Sequence, residues 1–192
     1  MFWKSLVLLV GCWISSGVVS AAEDAVVTVG AAAPSFTVKD DQGKDWSSAD
    51  HFGKKIVVVY FYPADMTGGC TKQACAFRDD LSKLTDLGVE VVGVSGDSPE
   101  NHRQFKQAHQ LTFSLLADED GAVAQKFGVP VTREEKTVNT EFNGVKYTLT
   151  RKATAKRWTF IVAKDGKVAY LDNNVDAAKD SQKIREAIQN LK

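Results

Sequence analysis

The chain of 192 residues is 44% apolar, balances 24 Lys and Arg against 24 Asp and Glu, and contains no low-complexity tract. That composition excludes a disordered chain and leaves room for one globular core. Zero formal charge with an even scatter of basic residues gives no face for neutralising phosphates, so no nucleic-acid partner is expected.

The first 22 residues are of another kind: Lys4, an uncharged run from Ser5 to Val19 centred on Leu6-Val-Leu-Leu-Val10, then Ser20-Ala21-Ala22 before the first acids, Glu23 and Asp24. A basic residue, an apolar stretch and small residues in that order read as a secretory signal peptide cleaved after Ala21 or Ala22. This divides the chain into a leader, 1–22, and a domain, 23–192. The mature protein is then exported, periplasmic or extracellular, with no stable membrane association. Two rivals share the segment. Leu9-Val-Gly-Cys12 fits a bacterial lipoprotein box with Cys12 as the lipidated residue, and the uncharged run is just long enough to stay as an anchor, although Ser15, Ser16 and Gly17 dilute it.

Past Ala32-Ala-Pro34, Phe36-Thr-Val38 and Asp45-Trp-Ser47 flank a turn at Asp40-Asp-Gln-Gly43 and predict a small hairpin, with Trp46 and Phe52 as core or covering residues. The run from Lys55 to Tyr62 is β-branched or aromatic throughout Ile56 to Tyr60, which suits a strand buried on both faces, and Pro63 stops it. After Gly68-Gly69, the apolar residues Ala74, Phe77, Leu81 and Leu84 recur at helical spacing, and Gly88 ends the helix. Cys70 therefore falls in a helix's first turn, where unpaired N–H groups and the positive end of the dipole favour a thiolate. Gly68-Gly69 and the polar residues Thr71, Lys72 and Gln73 read as an open loop around the sulfur rather than a core.

Removal of the leader removes Cys12 and leaves Cys70 and Cys75. An even pair in an oxidising compartment invites a structural disulfide. Geometry opposes it, because a separation of five residues on a helix is about 8 Å and roughly 140° around the axis, beyond the ~7 Å reach of a bridge. A bond between them needs a broken helix, which suits a catalytic bridge better than a permanent staple.

Further on, Val89-Glu-Val-Val-Gly-Val94 reads as a second buried strand, and Ser98 caps a helix with Pro99 at its first position and Phe105 facing inward. Leu111 to Leu116 reads as a strand, and Asp118-Glu-Asp-Gly121 opens a short helix ending at Phe127-Gly128. The charged segment 132–156 holds Asn143-Gly144 between Thr140-Glu-Phe142 and Val145-Lys-Tyr-Thr-Leu149, a hairpin signal, and reads as a solvated decoration rather than a partner site. Arg157 to Val162 and Lys167 to Leu171 flank an Asp-Gly turn, and Ile184, Ala187, Ile188 and Leu191 mark a closing helix. The alternation predicts an α/β sheet with helices on both faces. His51, His102 and His109 share no metal-site spacing and adjoin no cysteine motif, so they read as surface or core residues, and no metal or cofactor is expected.

Pro63-x-x-x-Thr67-x-x-Cys70 resembles the peroxiredoxin active-site motif, and Cys70-Thr-x-x-x-Cys75 followed by Phe77-Arg-Asp79 resembles the peroxiredoxin Q, or bacterioferritin comigratory protein, subgroup. Gly96-Asp-Ser-Pro-Glu100, Phe113-Ser-Leu-Leu-Ala-Asp118, Val123-Ala-Gln-Lys-Phe-Gly128 and Arg157-Trp-Thr-Phe-Ile-Val162 extend the likeness from about Ala31 to Lys192, with 132–156 as an insert outside the pattern. The resemblance implies a thioredoxin-like fold, a central mixed sheet with helices on both faces. It implies a peroxidase acting on hydrogen peroxide and organic hydroperoxides, with Cys70 as peroxidatic thiol and Cys75 as the resolving one. Thr67, Arg157 and the Cys70 backbone N–H would be the donors to the peroxide, and Pro63 the shield against water. A thioredoxin-like dithiol would be the reductant, and the protein a monomer or weak dimer. Gly68 stands where the subgroup commonly has proline, which loosens the loop holding Thr67, and Gln73 replaces a common Glu, read as a mild change. Two alternatives stay open: a thioredoxin-like disulfide oxidoreductase, which normally needs Cys-x-x-Cys, and a copper-delivery module of the same fold, which uses a shorter spacer and a histidine.

Overall fold

The computed structural model describes residues 27–191, so the leader and the Cys12 alternative lie outside the described part. Strands β1 (Thr37–Asp40) and β2 (Asp45–Ser47) form the amino-terminal hairpin, and β3 (Ile56–Phe61) leads through α1 (Gly68–Asp86) to β4 (Val89–Ser95). Helix α2 (Pro99–His109) leads on to β5 (Ser114–Ala117), and the short α3 (Ala122–Lys126) to a long hairpin of β6 (Val131–Phe142) and β7 (Val145–Ala155). Then come β8 (Trp158–Val162), β9 (Val168–Asp172) and α4 (Asp180–Asn190). A mixed sheet runs in the order β2-β1-β5-β4-β3-β8-β9, with β3, β4 and β5 parallel and the remaining pairs antiparallel.

β3 is buried at every position because both of its faces are covered. Val57, Val59 and Phe61 pack with Val92, Val94 and Leu116 beneath Ala124 and Phe127 of the α3 segment. Val58, Tyr60 and Tyr62 face the other way, against Phe77 and Leu84 of α1, Phe105 of α2, and Ile184 and Ile188 of α4. Helices thus cover both faces, as the sequence pattern requires. Each such side chain contributes about 1.5–3 kcal/mol of burial. Gly93 pairs with Tyr60 across β3 and β4, and a Cβ at Gly93 would lie 2.7 Å from the Tyr60 ring. Its absence lets Tyr60 lie over the sheet and stack on Phe77 with ring centroids 4.9 Å apart.

Local signals act where the sequence places them. The Ser98 hydroxyl accepts from the Asn101 N–H at 3.3 Å to cap α2, and both Asp118 oxygens accept from the first turn of α3 at 2.8 Å. Asn143 and Gly144 take φ of 50° and 78°, the left-handed pair a two-residue hairpin turn needs. β5 starts at Ser114 rather than Leu111, because Gln110 turns left-handed (φ 53°) and the Leu111 N–H is spent on the Lys106 carbonyl at 3.0 Å, closing α2. Leu191 lies beyond the end of α4 and is exposed.

The long hairpin is more than a solvated decoration. Leu149, Arg151, Ala153 and Ala155 alternate inward along β7, and the Phe142 ring packs on His109 at 4.4 Å. A Cβ at Gly96 would stand 2.1 Å from the Ala153 carbonyl oxygen, so this glycine is what lets the hairpin base close on the end of β4. Apart from Arg151, the charged residues of β6 and β7 occupy the outward positions.

The loop between β3 and α1 rests on a buried polar network. Asp65, fully buried, accepts from the Tyr62 hydroxyl at 2.7 Å and pairs with His102 Nδ1 at 2.8 Å. Its N–H donates to Asp97 Oδ2 at 2.9 Å, while Asp97 also accepts from the Ser95 hydroxyl at 2.9 Å and from Asn101 Nδ2 at 3.1 Å. Asn101 Nδ2 reaches the Thr150 carbonyl of β7 as well, at 3.1 Å. His102 is therefore a core residue, but an ion-paired one. Burial disfavours its charge, yet Asp65, through charge and hydrogen bond, together with Asp97 and the Leu116 carbonyl, outweighs burial and raises its pKa above the ordinary histidine value. A raised folded-state pKa gives stability that is complete below the unfolded value of about 6.5 and is lost as pH rises through the folded value. We expect His102→Gln to cost about 3 kcal/mol near pH 6 and clearly less near pH 9. Urea unfolding of both proteins at the two pH values checks this; a penalty that does not change with pH would remove the charge from the account.

Candidate active site

Thr67 stands at the N-cap position of α1, yet its hydroxyl does not cap the helix: it donates back to the Ala64 carbonyl at 2.9 Å. No acidic residue occupies the first turn. The orphan N–H groups of Gly68, Gly69 and Cys70 thus keep their partial positive charge unspent. The Cys70 thiol sits in that field. Arg157, immediately before β8, donates from Nη2 to Cys70 Sγ at 3.1 Å. Its guanidinium lies against the Gly68-Gly69 turn, 3.4 Å from where a Gly69 side chain would begin.

The sulfur is not in an open loop. Cys70 is 2% exposed and packs with Tyr60, Tyr62, Met66, Ala74 and Phe77. Gly68 and Gly69 stay at the surface while the third residue of the helix turns inward beneath Arg157. Gln73, expected to be solvated, is fully buried. Its Oε1 accepts from Arg157 Nη1 in a short contact, and its Nε2 donates to Asp180 Oδ2 at 2.6 Å. The Thr159 hydroxyl donates to the same Asp180 oxygen at 2.8 Å. Burial raises the Asp180 carboxyl above its ordinary pKa, and the Gln73 and Thr159 hydrogen bonds oppose that rise.

Cys75 lies on the same unbroken helix, half-buried, and both cysteines are free thiols. Burial pushes the Cys75 thiol up, Arg78 opposes the rise and Asp79 adds to it. Pro63 is half-buried at the turn leaving β3, and Lys72 is exposed. The structure thus brings Cys70 and Arg157 into contact, sets Thr67 at the same helix start with Pro63 in the turn before it, and leaves Cys75 on another face. Gln73 and Asp180 escaped sequence reasoning as site residues, as did Asp65 and His102. Asp180 looks like any acid in the first turn of a helix, and its partner Gln73 is 107 residues away. Among the described residues no group of three or more His, Cys, Asp or Glu side chains is placed to hold a metal ion.

Comparison with known proteins agrees with this geometry. Residues 29–171 match the AhpC/TSA family. A putative peroxiredoxin of Mycobacterium tuberculosis is 42% identical over 159 residues, covering 83% of this chain and 93% of that one. The chloroplastic peroxiredoxin Q of Populus jackii is 53% identical over 106 residues, 55% of this chain and 49% of that protein. The chain thus spans about half the length of such plant relatives. Among solved structures, peroxidoxin BcpB of Mycobacterium tuberculosis superposes with a TM-score of 0.71 at 26% identity, covering 86% of this chain and 99% of that one. The Xanthomonas campestris bacterioferritin comigratory protein, described for its alkyl peroxide reduction activity, gives 0.68 at 26% identity over 88% of this chain and 99% of that one. With a thioredoxin-like mixed sheet, a thiol beneath an arginine at a helix start, and a family match over most of its length, the chain belongs to the AhpC/TSA family, and its relatives place it with the peroxiredoxin Q and bacterioferritin comigratory proteins.

Proposed function

We propose that this protein is a thiol-dependent peroxidase in which Cys70 reduces hydrogen peroxide and organic hydroperoxides. The observation that carries the reading is the 3.1 Å contact from Arg157 Nη2 to Cys70 Sγ at an uncapped helix start. A guanidinium and backbone N–H groups face the sulfur and offer fixed donors to the negative charge that grows on the leaving oxygen. The thiolate attacks the terminal peroxide oxygen, an S–O bond forms as the O–O bond breaks to leave the sulfenic acid, and the other oxygen departs as alcohol or water after taking back from solvent the proton that the thiol released. Thr67 Oγ1, with its own proton committed to Ala64, takes part as an acceptor for the hydroperoxide O–H rather than as the donor the motif implies. Pro63 shields the sulfur from bulk water. The alkyl peroxide reduction of the Xanthomonas campestris relative supports the substrate class.

Cys70 sulfenic acid then meets Cys75: the second thiol attacks, an S–S bond forms and water leaves. A thioredoxin-like dithiol reduces the disulfide. On the intact helix the two residues stand about 8 Å apart, beyond disulfide reach. Opening α1 brings them together and also removes the burial that raises the Cys75 thiol pKa. That opening is costlier than the polar sequence of 71–73 implies, because it must separate Gln73 from both Asp180 and Arg157.

Residues 1–22 are, in this proposal, a secretory leader and 23–192 the mature peroxidase domain. The plant relatives are chloroplastic, but transit peptides are rich in arginine, whereas Lys4 alone is basic before Glu23 and an apolar run follows it.

Cys70→Ser is expected to abolish peroxide consumption, and Cys75→Ser to permit one oxidation per molecule without turnover. Stopped-flow mixing of each reduced variant with peroxide tells the two apart, and wild-type oxidation of Cys70→Ser would refute the assignment. Amide exchange should show residues 70 to 76 losing protection in the oxidised protein; unchanged protection in molecules whose mass shows the Cys70–Cys75 bond would contradict helix opening. Amino-terminal sequencing of the native protein should begin near Ala22 or Glu23, an intact Met1 would reject export, and a lipid-modified Cys12 would select the lipoprotein rival.

A further inference from the structure

We propose that Asp180 is a positioning residue for the thiol chemistry, acting through the Gln73 amide to aim the Arg157 guanidinium at Cys70; this rests on Cys70 being the reacting thiol. A glutamine side chain has one accepting and one donating end, and rotation exchanges them. Arg157 has donors only, so it needs Gln73 Oε1, and the group on the far side of the amide decides whether Oε1 faces it. Asp180 Oδ2 is an acceptor here, since the Thr159 hydroxyl donates to it as well. With Asp180 Oδ2 at 2.6 Å, Gln73 must present Nε2 to Asp180 and therefore Oε1 to Arg157.

The carboxylate is itself held. Asp180 is 1% exposed at the start of α4, and its Oδ2 also receives the hydroxyl of Thr159, a fully buried residue two positions after Arg157. One oxygen therefore ties α1, α4 and β8 together at the point where the arginine enters the site. Stability alone is a poor account of this group. Asp180 Oδ1 is buried with no hydrogen-bond partner among the described residues, and no cation is in contact with the carboxylate there, so an apolar residue of similar shape would cost less to bury.

The test uses single-turnover oxidation of the reduced full-length protein by hydrogen peroxide. Asp180→Leu, close to aspartate in shape, should lower the rate constant about tenfold, and the same change in an Arg157→Ala background should lower it no further, since coupled residues are not additive. Asp180→Asn, which keeps an oxygen for Gln73 Nε2, should stay within about threefold of wild type. Gln73→Glu sets two carboxylates against each other and should be slow, while Gln73→Glu with Asp180→Asn restores one donor facing one acceptor and should recover most of the loss. Wild-type rates in Asp180→Leu, losses that multiply in the Arg157→Ala background, or a swapped pair as slow as Gln73→Glu alone would each overturn the proposal. The swapped pair keeps the test intact where Asp180→Leu does not fold. The nuclear magnetic resonance signals of the Gln73 side-chain amide give a readout free of peroxide chemistry. They should be shifted and slow to exchange in wild type and lose both properties in Asp180→Leu, and an unchanged pair of signals counts against the proposal. Wild-type protein that consumes no peroxide would refute the proposed function, and the amide signals would still decide the positioning.

Discussion

The structure turns on a buried sulfur held against a guanidinium at a helix start. Cys70 lies out of water in an apolar cluster with Tyr60, Phe77 and Met66. Two fixed polar groups face it there, the uncapped first turn of α1 and the Arg157 guanidinium. Much else in the fold follows from the need to bring those together. β3 ends where Pro63 turns the chain, α1 starts a few residues later, and β8 runs antiparallel beside β3 so that its approach, at Arg157, arrives at the same end of the sheet.

Two polar systems hold this end of the sheet, one on each side of the sulfur. Tyr62, Asp65, His102 and Asp97 fix the loop before the helix, while Gln73, Asp180 and Thr159 fix the helix and the arginine after it. Neither system is cheap to bury, which is the common sign of positions constrained by more than folding. The first also reaches the long hairpin through Asn101 and the Thr150 carbonyl, so a segment that looked peripheral shares hydrogen bonds with the loop that carries Thr67.

The parts of this architecture that were legible in the sequence are those governed by local rules. The buried run at Ile56 to Tyr60, the caps at Ser98 and Gly88, the Asn143-Gly144 turn and the place of Cys70 in a first turn all depend on neighbours within a few residues. The mixed sheet with helices on both faces followed from that alternation together with the family motif. Burial at the site is not legible there, because polarity at Thr71 to Gln73 says nothing about a partner elsewhere in the chain. Gln73 is buried only because Asp180 and Arg157 satisfy both ends of its amide. His102 likewise looked like an ordinary histidine until Asp65, 37 residues earlier, was found against it. Replacement of a common Glu by Gln73 appeared mild from sequence and is not. Beside the Asp180 carboxylate, only the neutral amide supplies the donor that this position needs.

In the proposed cycle one residue serves two steps that exclude one another. While α1 is intact, Gln73 joins Asp180 to Arg157 and the thiol faces an aligned guanidinium, but Cys75 is out of reach. When the first turns open, Gln73 leaves both partners, the guanidinium loses its alignment, and the two sulfurs can meet. On this proposal the arrangement suited to attack on peroxide and the arrangement suited to disulfide formation cannot coexist in one molecule, and the Gln73 hydrogen bonds add to the free-energy gap between them. A stronger hold would favour a longer-lived sulfenic acid, exposed to further oxidation; a weaker one would speed the bridge at the cost of arginine alignment. The neutral Gln73 amide is a moderate hold of this kind, bonded firmly enough to order the site, yet without the full ion pair with Arg157 that a carboxylate at the same position would have to break.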